Sequence, residues 1–443
     1  MGDTGRVMGR STNALWTCDH AHVRSNFQVR KSLVVGAVAS VATAAAGVAG
    51  SLGAATYFAR MVVTPDRLRL EDTQILLVED GSVTLALTPE SGRPGRYGLW
   101  FDHGRGHARV GAVLEVDEKA RRVRRVLEGV DAGELRVGPA GWDQYYFTVD
   151  PQTALGLPSR DVQIDAEIGM LDAWEVSAED GAGDRWAILV HGRGASREEC
   201  LRAVPVLHDQ GFTALIPLYR NDIGAPASSD GRYSLGLSEW RDLEAALQYV
   251  VDAGARQVVL FGWSMGAAII LQALDRSWLS DRVDAVVLDA PVIDWADVLR
   301  HNGAAHKIPG PIGSLSRLLI GRRWARRLVG VHEPIDVALT NWEHRAEELS
   351  HRTLIIHSLD DELVPAGPSA SLAAKRPDLV RFEPWQGARH TKEWNVDSER
   401  WDAVVRSFLV DTAGPADGGH QPAGASGSGS GPAPEDAALR LDQ

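Results

Sequence analysis

The run Gln257-Val258-Val259-Leu260-Phe261 leads straight into Gly262-Trp263-Ser264-Met265-Gly266, and Ala267-Ala268-Ile269-Ile270-Leu271 follows. A β-prone run, a tight turn and a helical run place a serine at the tip of a sharp corner. Glycine two positions either side of Ser264 leaves room for a strained backbone that any side chain would block. A helix beginning at the serine aims its free N–H groups and its positive end at whatever the hydroxyl attacks. Ser264 is therefore expected to be a nucleophile, and the chain is expected to contain an open sheet that holds it.

The surrounding pattern agrees. Val162–Ile168, Asp172–Val176, Trp186–Val190, Phe212–Pro217, Val283–Leu288 and Thr353–His357 read as strands. Between them lie helical stretches, with Cys200–Gln210 closed by Gly211 and Ser238–Val251 carrying Trp240, Leu243, Leu247 and Val250 on one face. Strands alternating with helices imply a mostly parallel sheet with helices on both faces. Residues 64–160 read differently. Gln74–Val78 is apolar and Ser82–Leu87 alternates. Ala112–Val116 and Arg122–Leu127 are expected to pair across a turn near Asp117–Ala120. This is a small β-rich region, and Arg121, Arg122, Arg124 and Arg125 are expected to form a solvated strand face.

A serine hydroxyl needs a base, a group to orient that base and donors for an oxyanion. The acid candidate is Asp361, in Leu359-Asp360-Asp361-Glu362-Leu363-Val364-Pro365 after a late buried strand, with Asp360 as its rival. The base candidate is His390, in the loop after the last strand, Leu379–Pro384, and before a final helix over 398–409. The chain has 14 histidines, and His390 alone stands in that place. The string His-Gly-Arg-Gly occurs twice, at 103–106 and 191–194. Only the second copy follows a clean buried strand, so Arg193 and Met265 are expected to supply the oxyanion N–H groups, with Gly194 as alternative to Arg193. Trp263, Gly192 and Gly194 are expected to border the substrate.

With these residues in view, 161–411 resembles an α/β-hydrolase. The resemblance rests on the His-Gly loop, the Gly-x-Ser-x-Gly elbow, the Asp-x-x-Val-Pro element and the terminal histidine, in the order Ser, Asp, His. His191–Gly194 with Ile216–Asn221 is similar in style to the serine-aminopeptidase-like and prolyl-oligopeptidase-like subgroup. The resemblance implies a serine triad and no metal cofactor. Two features depart from it: the bulk of Trp263, and the lack of a propeller before the catalytic region. Residues 294–350, between two core strands, are expected to form a helical lid. Arg322, Arg323, Arg326 and Arg327 are read as its polar face, with anionic lipid as the sharper alternative. Trp295, Trp324 and Trp342 are read as packing residues.

Leu33 to Ala59 carries no charge, long enough for a transmembrane helix or signal anchor. Residues 1–32 are a tail before it. The flanking basic residues are nearly balanced, with a slight excess placing the N-terminus in the cytoplasm and the catalytic domain outside, as a single-pass membrane protein. The net charge of −13 argues against nucleic acid as a partner. Cys18 and Cys200 are too few for a disulfide framework. From 412 to 443 the Gly, Ser, Pro and Ala content predicts disorder. The expected activity is cleavage of a small-molecule carboxylic ester through an acyl-enzyme. A peptidase or amidase with the same triad is the second reading, for which Asp294, Asp297 or Glu333 would take a substrate amine. A non-catalytic binding protein is the third.

Overall fold

The computed structural model describes residues 49–65, 71–178 and 183–413. The strands are β1 (Thr73–Glu79), β2 (Ser82–Ala86), β3 (Tyr97–Phe101), β4 (Gly106–Asp117), β5 (Arg122–Ala132), β6 (Gly138–Asp143), β7 (Ser159–Ala166), β8 (Gly169–Val176), β9 (Arg185–Val190), β10 (Thr213–Pro217), β11 (Gln257–Trp263), β12 (Ala285–Asp289), β13 (Arg352–Ser358) and β14 (Val380–Trp385). The first six close into a barrel in the order β1-β2-β5-β4-β3-β6, and the remaining eight form one sheet in the order β14-β13-β12-β11-β9-β10-β8-β7. From β10 to β14 the neighbours run parallel, and the β7–β8 hairpin is added antiparallel at one edge.

The helices are α1 (49–63), α2 (Pro151–Leu155), α3 (Val204–Asp209), α4 (Trp240–Asp252), α5 (Met265–Arg276), α6 (Trp295–Ala305), α7 (Gly310–Ile320), α8 (Arg326–Val329), α9 (Gly367–Lys375), α10 (Glu393–Val396) and α11 (Ser398–Ala413). The central strands are buried on both faces, as a covered parallel sheet requires. Along β9, Ile188 and Val190 pack into the core under α4 and α5, while Ala187 and Leu189 pack into the opposite core with α3 and α11. Each large apolar side chain buried this way contributes about 1.5–3 kcal/mol.

Three features differ from the sequence expectations. The helix expected over 200–210 splits into a 3-10 turn, Arg197–Ala203, and α3, with Pro205 at the start of α3. Proline has no N–H to carry a helix through that point. Arg125 is not on a solvated face. In β5 Val123 and Arg125 point inward while Arg122 and Arg124 point out, and the Arg125 guanidinium fills the barrel between Tyr97 and Trp142. Trp324 does not pack: it is 65% exposed on the cap, beside exposed Arg322, Arg323, Arg326 and Arg327. Trp342 is buried.

The uncharged segment 33–59 lies outside the described residues as far as 48, as do Cys18 and the tail from 414 on. Among the described residues no helix is long and apolar enough to cross a membrane. The described end of that segment is α1, which buries Ala55, Ala59 and Val63 against the core while Tyr57 and Met61 face out. The four-residue spacing puts these three on one stripe. Arg193 closes the end of α1: its guanidinium donates to the carbonyls of Met61 (2.9 Å), Val62 (2.9 Å) and Thr64 (2.8 Å). Arg60 Nε donates to Leu328 O at 2.7 Å, tying α1 to α8 of the cap.

Candidate active site

Ser264 stands between β11 and α5 with φ 52° and ψ −112°. Such a conformation costs a non-glycine residue on the order of 1–3 kcal/mol and must be held from outside. The Ser264 N–H donates to Asp289 O (3.0 Å), and Val292 N–H donates to Ser264 O (3.2 Å). A Cβ on Gly262 would lie 2.7 Å from Ala267 N, and one on Gly266 would overlap Val190 O. The two elbow glycines are therefore required by the backbones that cross them.

His390 Nε2 lies 2.9 Å from Ser264 Oγ and accepts a hydrogen bond from it; His390 Nδ1–H donates to Asp361 Oδ2 at 2.7 Å. Asp361 is pinned on its other oxygen by the N–H groups of Leu363 and Val364, both at 2.8 Å. A second histidine, which the sequence did not single out, also faces it. His357 Nε2 is 3.2 Å from Asp361 Oδ2 and 3.0 Å from Val364 O. Both are acceptors, so Nε2 carries the hydrogen, and Nδ1 takes a hydrogen bond from the Ser369 hydroxyl at 2.8 Å. Asp360 turns away: it is exposed and accepts from Gly387 N–H at 2.7 Å.

Burial alone would raise the Asp361 pKa, but the His390 charge and the hydrogen bonds from His357 and His390 outweigh it and hold the carboxyl well below the usual range. Burial alone would lower the His390 pKa, but Asp361, and more weakly Glu199 and Glu362, push it above the ordinary histidine value. The pair thus favours a carboxylate that stays ionised and a base that is readily protonated.

β9 and β11 are neighbours in register, Val190 opposite Gly262. This sets the 191–194 turn beside Ser264, with a Cβ on Gly192 3.3 Å from Ser264 Cβ. Side chains clamp the turn. Gly192 N–H donates to Glu199 (2.8 Å) and Gly194 N–H to the Tyr233 hydroxyl (3.3 Å), which engages the alternative donor. Beneath, His191 stacks on Tyr219 at 4.4 Å and pairs with Asp222 at 2.9 Å. Burial opposes its protonation and Asp222 outweighs that, so its pKa is raised. In the other His-Gly-Arg-Gly copy, His103–Arg105 lie in the exposed β3–β4 turn and Gly106 is the buried first residue of β4.

Trp263 does not border the substrate space. It is 1% exposed and packs with Phe261 on the far side of the sheet, because alternation along β11 points it away from the face that Ser264 opens onto. Asp294 caps α6 through Ala296 N–H and accepts from Asn341, Asp297 pairs with Arg300, and neither is among the residues that line the two cavities at Ser264. Glu333 is exposed. Among the described residues, no cluster of His, Cys, Asp and Glu is arranged to hold a metal ion.

Two cavities meet at Ser264 and His390. One, about 320 Å³, lies under the cap and is lined largely by apolar groups, among them Val62 of α1, Trp295, Leu299 and Ile320. The other, about 430 Å³, lies between the 192–196 turn and the barrel and is lined by Gly192, Gly194, Trp100, Trp142, Asp143 and Tyr145, among others. The barrel also grips the 192–196 turn and the loop that carries His390. The Tyr145 hydroxyl accepts from Ser196 N–H at 3.0 Å. Asn395 Nδ2 donates to Arg96 O (2.8 Å) and Gln144 O (2.9 Å), and Glu90 pairs with Lys392 (3.2 Å) and Arg389 (3.4 Å) on either side of His390. The barrel residues and α1 carry no sequence signal for this role, since their contacts join positions from 51 to 302 residues apart.

A strained serine at a strand–helix corner, with a carboxylate and a histidine from the loops after the last two strands of a parallel sheet, defines an α/β-hydrolase. Residues 187–423, more than half of the chain, match the alpha/beta hydrolase family, and the protein belongs to that family. Residues 74–143, which are the barrel, match a domain of unknown function (DUF8805). No curated protein matches the sequence. Among solved structures, the chain is similar to the esterase Pf2001 of Pyrococcus furiosus, at 20% identity and TM-score 0.46 over 60% of this chain and 97% of that one. It is similar also to a putative aryl esterase from Burkholderia cenocepacia, at 19% identity and TM-score 0.40 over 56% and 98%. A third is Est1E from Butyrivibrio proteoclasticus with ferulic acid bound, at 15% identity and TM-score 0.43 over 57% and 99%.

Proposed function

We propose that the protein is a serine esterase that cleaves a carboxylic ester through an acyl-enzyme. The observation that carries this reading is the Ser264–His390–Asp361 relay, with contacts of 2.9 and 2.7 Å. His390 Nε2 takes the Ser264 proton as Oγ attacks the ester carbonyl. The N–H groups of Met265 and Arg193 receive the oxyanion, each such donor being worth about 10²–10³-fold in rate. His390 then protonates the departing alcohol. Water, deprotonated by the same histidine, releases the acid and restores Ser264.

The cavity under the cap, lined mostly by apolar groups among the described residues, supports an apolar acyl group. Membrane anchoring is part of the proposal. Because α1 (49–63) docks on the core and cap, an anchor would be confined to residues 33–48 of the apolar segment, and it would hold the acyl cavity close to the bilayer.

Fluorophosphonate labelling with peptide mapping tests the mechanism. Ser264 should be the modified residue, and Ser264→Ala or His390→Ala should abolish both labelling and ester turnover. Turnover that persists in Ser264→Ala would overturn the reading.

A further inference from the structure

Two buried carboxyl groups beneath the triad have no part in the relay. β12 ends at Asp289 and α10 begins at Glu393, and the two side chains are 1% and 0% exposed. Alternation along β12 puts Asp289 on the sheet face where Ala285 and Val287 pack toward α11. Its backbone carbonyl already accepts from Ser264 N–H.

Each carboxyl turns one oxygen to an N–H donor. Asp289 Oδ2 accepts from Trp401 Nε1 at 2.8 Å, and Glu393 Oε1 accepts from Ser358 N–H at 2.8 Å. The other two oxygens, Asp289 Oδ1 and Glu393 Oε2, are buried and receive no hydrogen bond from any N–H or from another hydroxyl of the described residues. The two side chains are hydrogen-bonded to each other. Two ionised carboxylates are acceptors only, so this bond requires a proton held between them. Burying two adjacent charges would enforce the same result. The charged groups that face the pair are Glu199 and Arg202 of the 3-10 turn and Asp361 of the loop after β13. Arg202 is buried, attracts Asp289, and donates to Thr391 O (2.6 Å), next to His390. With one proton shared, the pair keeps a single negative charge near that guanidinium.

The pair holds the loop that carries His390. Ser358, the last residue of β13, fastens that loop on both sides of the histidine: its hydroxyl donates to Ala388 O at 2.7 Å and its N–H to Glu393. Asp361 leaves the same strand end, and its N–H donates to Ser358 O at 3.3 Å. The carboxylate that orients the base and the loop that carries the base are thus tied to one residue, and Glu393 supplies the side chain that closes the tie.

We infer that Glu393 is a positioning residue for His390: sharing a proton with Asp289, it docks the His390 loop on the ends of β12 and β13 and keeps the imidazole within reach of Ser264 and Asp361. This rests on the esterase reading and adds a residue through which its base acts.

The test sets side-chain reach against charge. Glu393→Asp keeps the charge but is a methylene too short to meet both Ser358 and Asp289. Glu393→Gln loses the charge, yet its amide oxygen accepts from Ser358 N–H and its amide nitrogen donates to Asp289. On p-nitrophenyl octanoate, well below the melting temperature, kcat should fall about 10–100-fold in Glu393→Asp with KM little changed, as a misplaced base requires. Glu393→Gln should keep most of the wild-type kcat. Glu393→Ala gives the same reading as Glu393→Asp if the latter does not fold. A carboxylic-acid C=O infrared band at neutral pH, present in wild type and missing from Glu393→Gln, marks the shared proton. Wild-type kcat in folded Glu393→Asp, a Glu393→Gln as slow as Glu393→Asp, or an undiminished infrared band in Glu393→Gln would overturn the inference.

A substrate-free arm separates it from the esterase reading. The low-field proton resonance of His390 Nδ1–H, assigned by its absence from His390→Ala, should be lost in Glu393→Asp and kept in Glu393→Gln. That pattern supports the positioning role even if no ester is turned over, in which case the esterase reading alone fails. A resonance that survives unchanged in Glu393→Asp refutes it.

Discussion

Arg125→Met is the most informative perturbation of the barrel. The Arg125 side chain makes five hydrogen bonds to four carbonyls: Nε and Nη2 to Gly111 O (3.0 and 2.7 Å), Nη1 to Ser91 O (2.8 Å) and Arg93 O (2.6 Å), and Nη2 to Gly95 O (2.6 Å). Its burial lowers its pKa to about 10, a sign of the desolvation those bonds must offset. Methionine keeps the apolar stem and removes every donor. At about 1.5–3 kcal/mol per bond to a charged group, the gross loss exceeds what single substitutions cost. Removing the guanidinium also lifts its desolvation penalty, so the expected net loss is about 3–5 kcal/mol. At roughly 2–4 °C per kcal/mol, Tm should fall on the order of 10 °C. Three of the four carbonyls lie in the 91–95 loop, which meets the His390 loop through Arg93 to Gly387 and Arg96 to Asn395. Esterase activity well below the melting temperature should therefore fall too. Arg125→Lys, a point charge without the planar fork, should lie between the two. Scanning calorimetry together with kcat/KM reads the outcome. A Tm for Arg125→Met within about 2 °C of wild type would refute the view that this arginine is the barrel's internal tie.

Other expectations follow from the site. Because Asp361 raises the His390 pKa, the acid limb of kcat/KM should have its midpoint above the ordinary histidine value of about 6.5. Asp361→Asn should lower that midpoint and cut kcat by about 10⁴-fold, whereas Asp360→Asn should leave the profile in place; an unmoved limb in Asp361→Asn counts against the relay. Gly266→Ala should abolish Ser264 labelling in the soluble fraction, since its Cβ would overlap Val190 O; full labelling would show that the elbow tolerates a side chain. Glu393 and Asp289 are buried side by side beneath the triad, and burial, then the charges of Asp289 and Asp361, raise the Glu393 pKa. A carboxyl raised on folding lends stability that is complete below its unfolded pKa and lost as pH rises through its folded pKa. Glu393→Gln should therefore gain stability relative to wild type as pH rises above the ordinary carboxyl range of about 4.3 in urea unfolding, and parallel curves would refute this.

The triad was legible because its chemistry constrains short stretches of chain. A strained corner needs glycines on either side of Ser264, and the carboxylate and imidazole must sit in loops after successive parallel strands, so local pattern and chain order locate Asp361 and His390. The same logic fails where one residue type serves two environments. Adjacency to the nucleophile points to Trp263 as a substrate neighbour, yet strand alternation buries it on the opposite face. Arg125 was grouped with its arginine neighbours, yet the same alternation turns it inward, where only the barrel's closure supplies carbonyl partners.

Residues that act through the triad left no pattern at all. His357 supports Asp361 from within a buried strand, where a histidine and an apolar residue read alike until Ser369 and Asp361 are placed around it. The division between what the sequence determined and what the fold decided follows the range of the interactions. Periodicity, turn chemistry and motif order are local, so the sheet, the elbow and the order of the triad could be read from the chain alone. The barrel wall at Trp100 and Asp143, the braces from Glu90 and Tyr145, and the clamp of Arg193 on α1 join segments that only tertiary packing brings within hydrogen-bond reach.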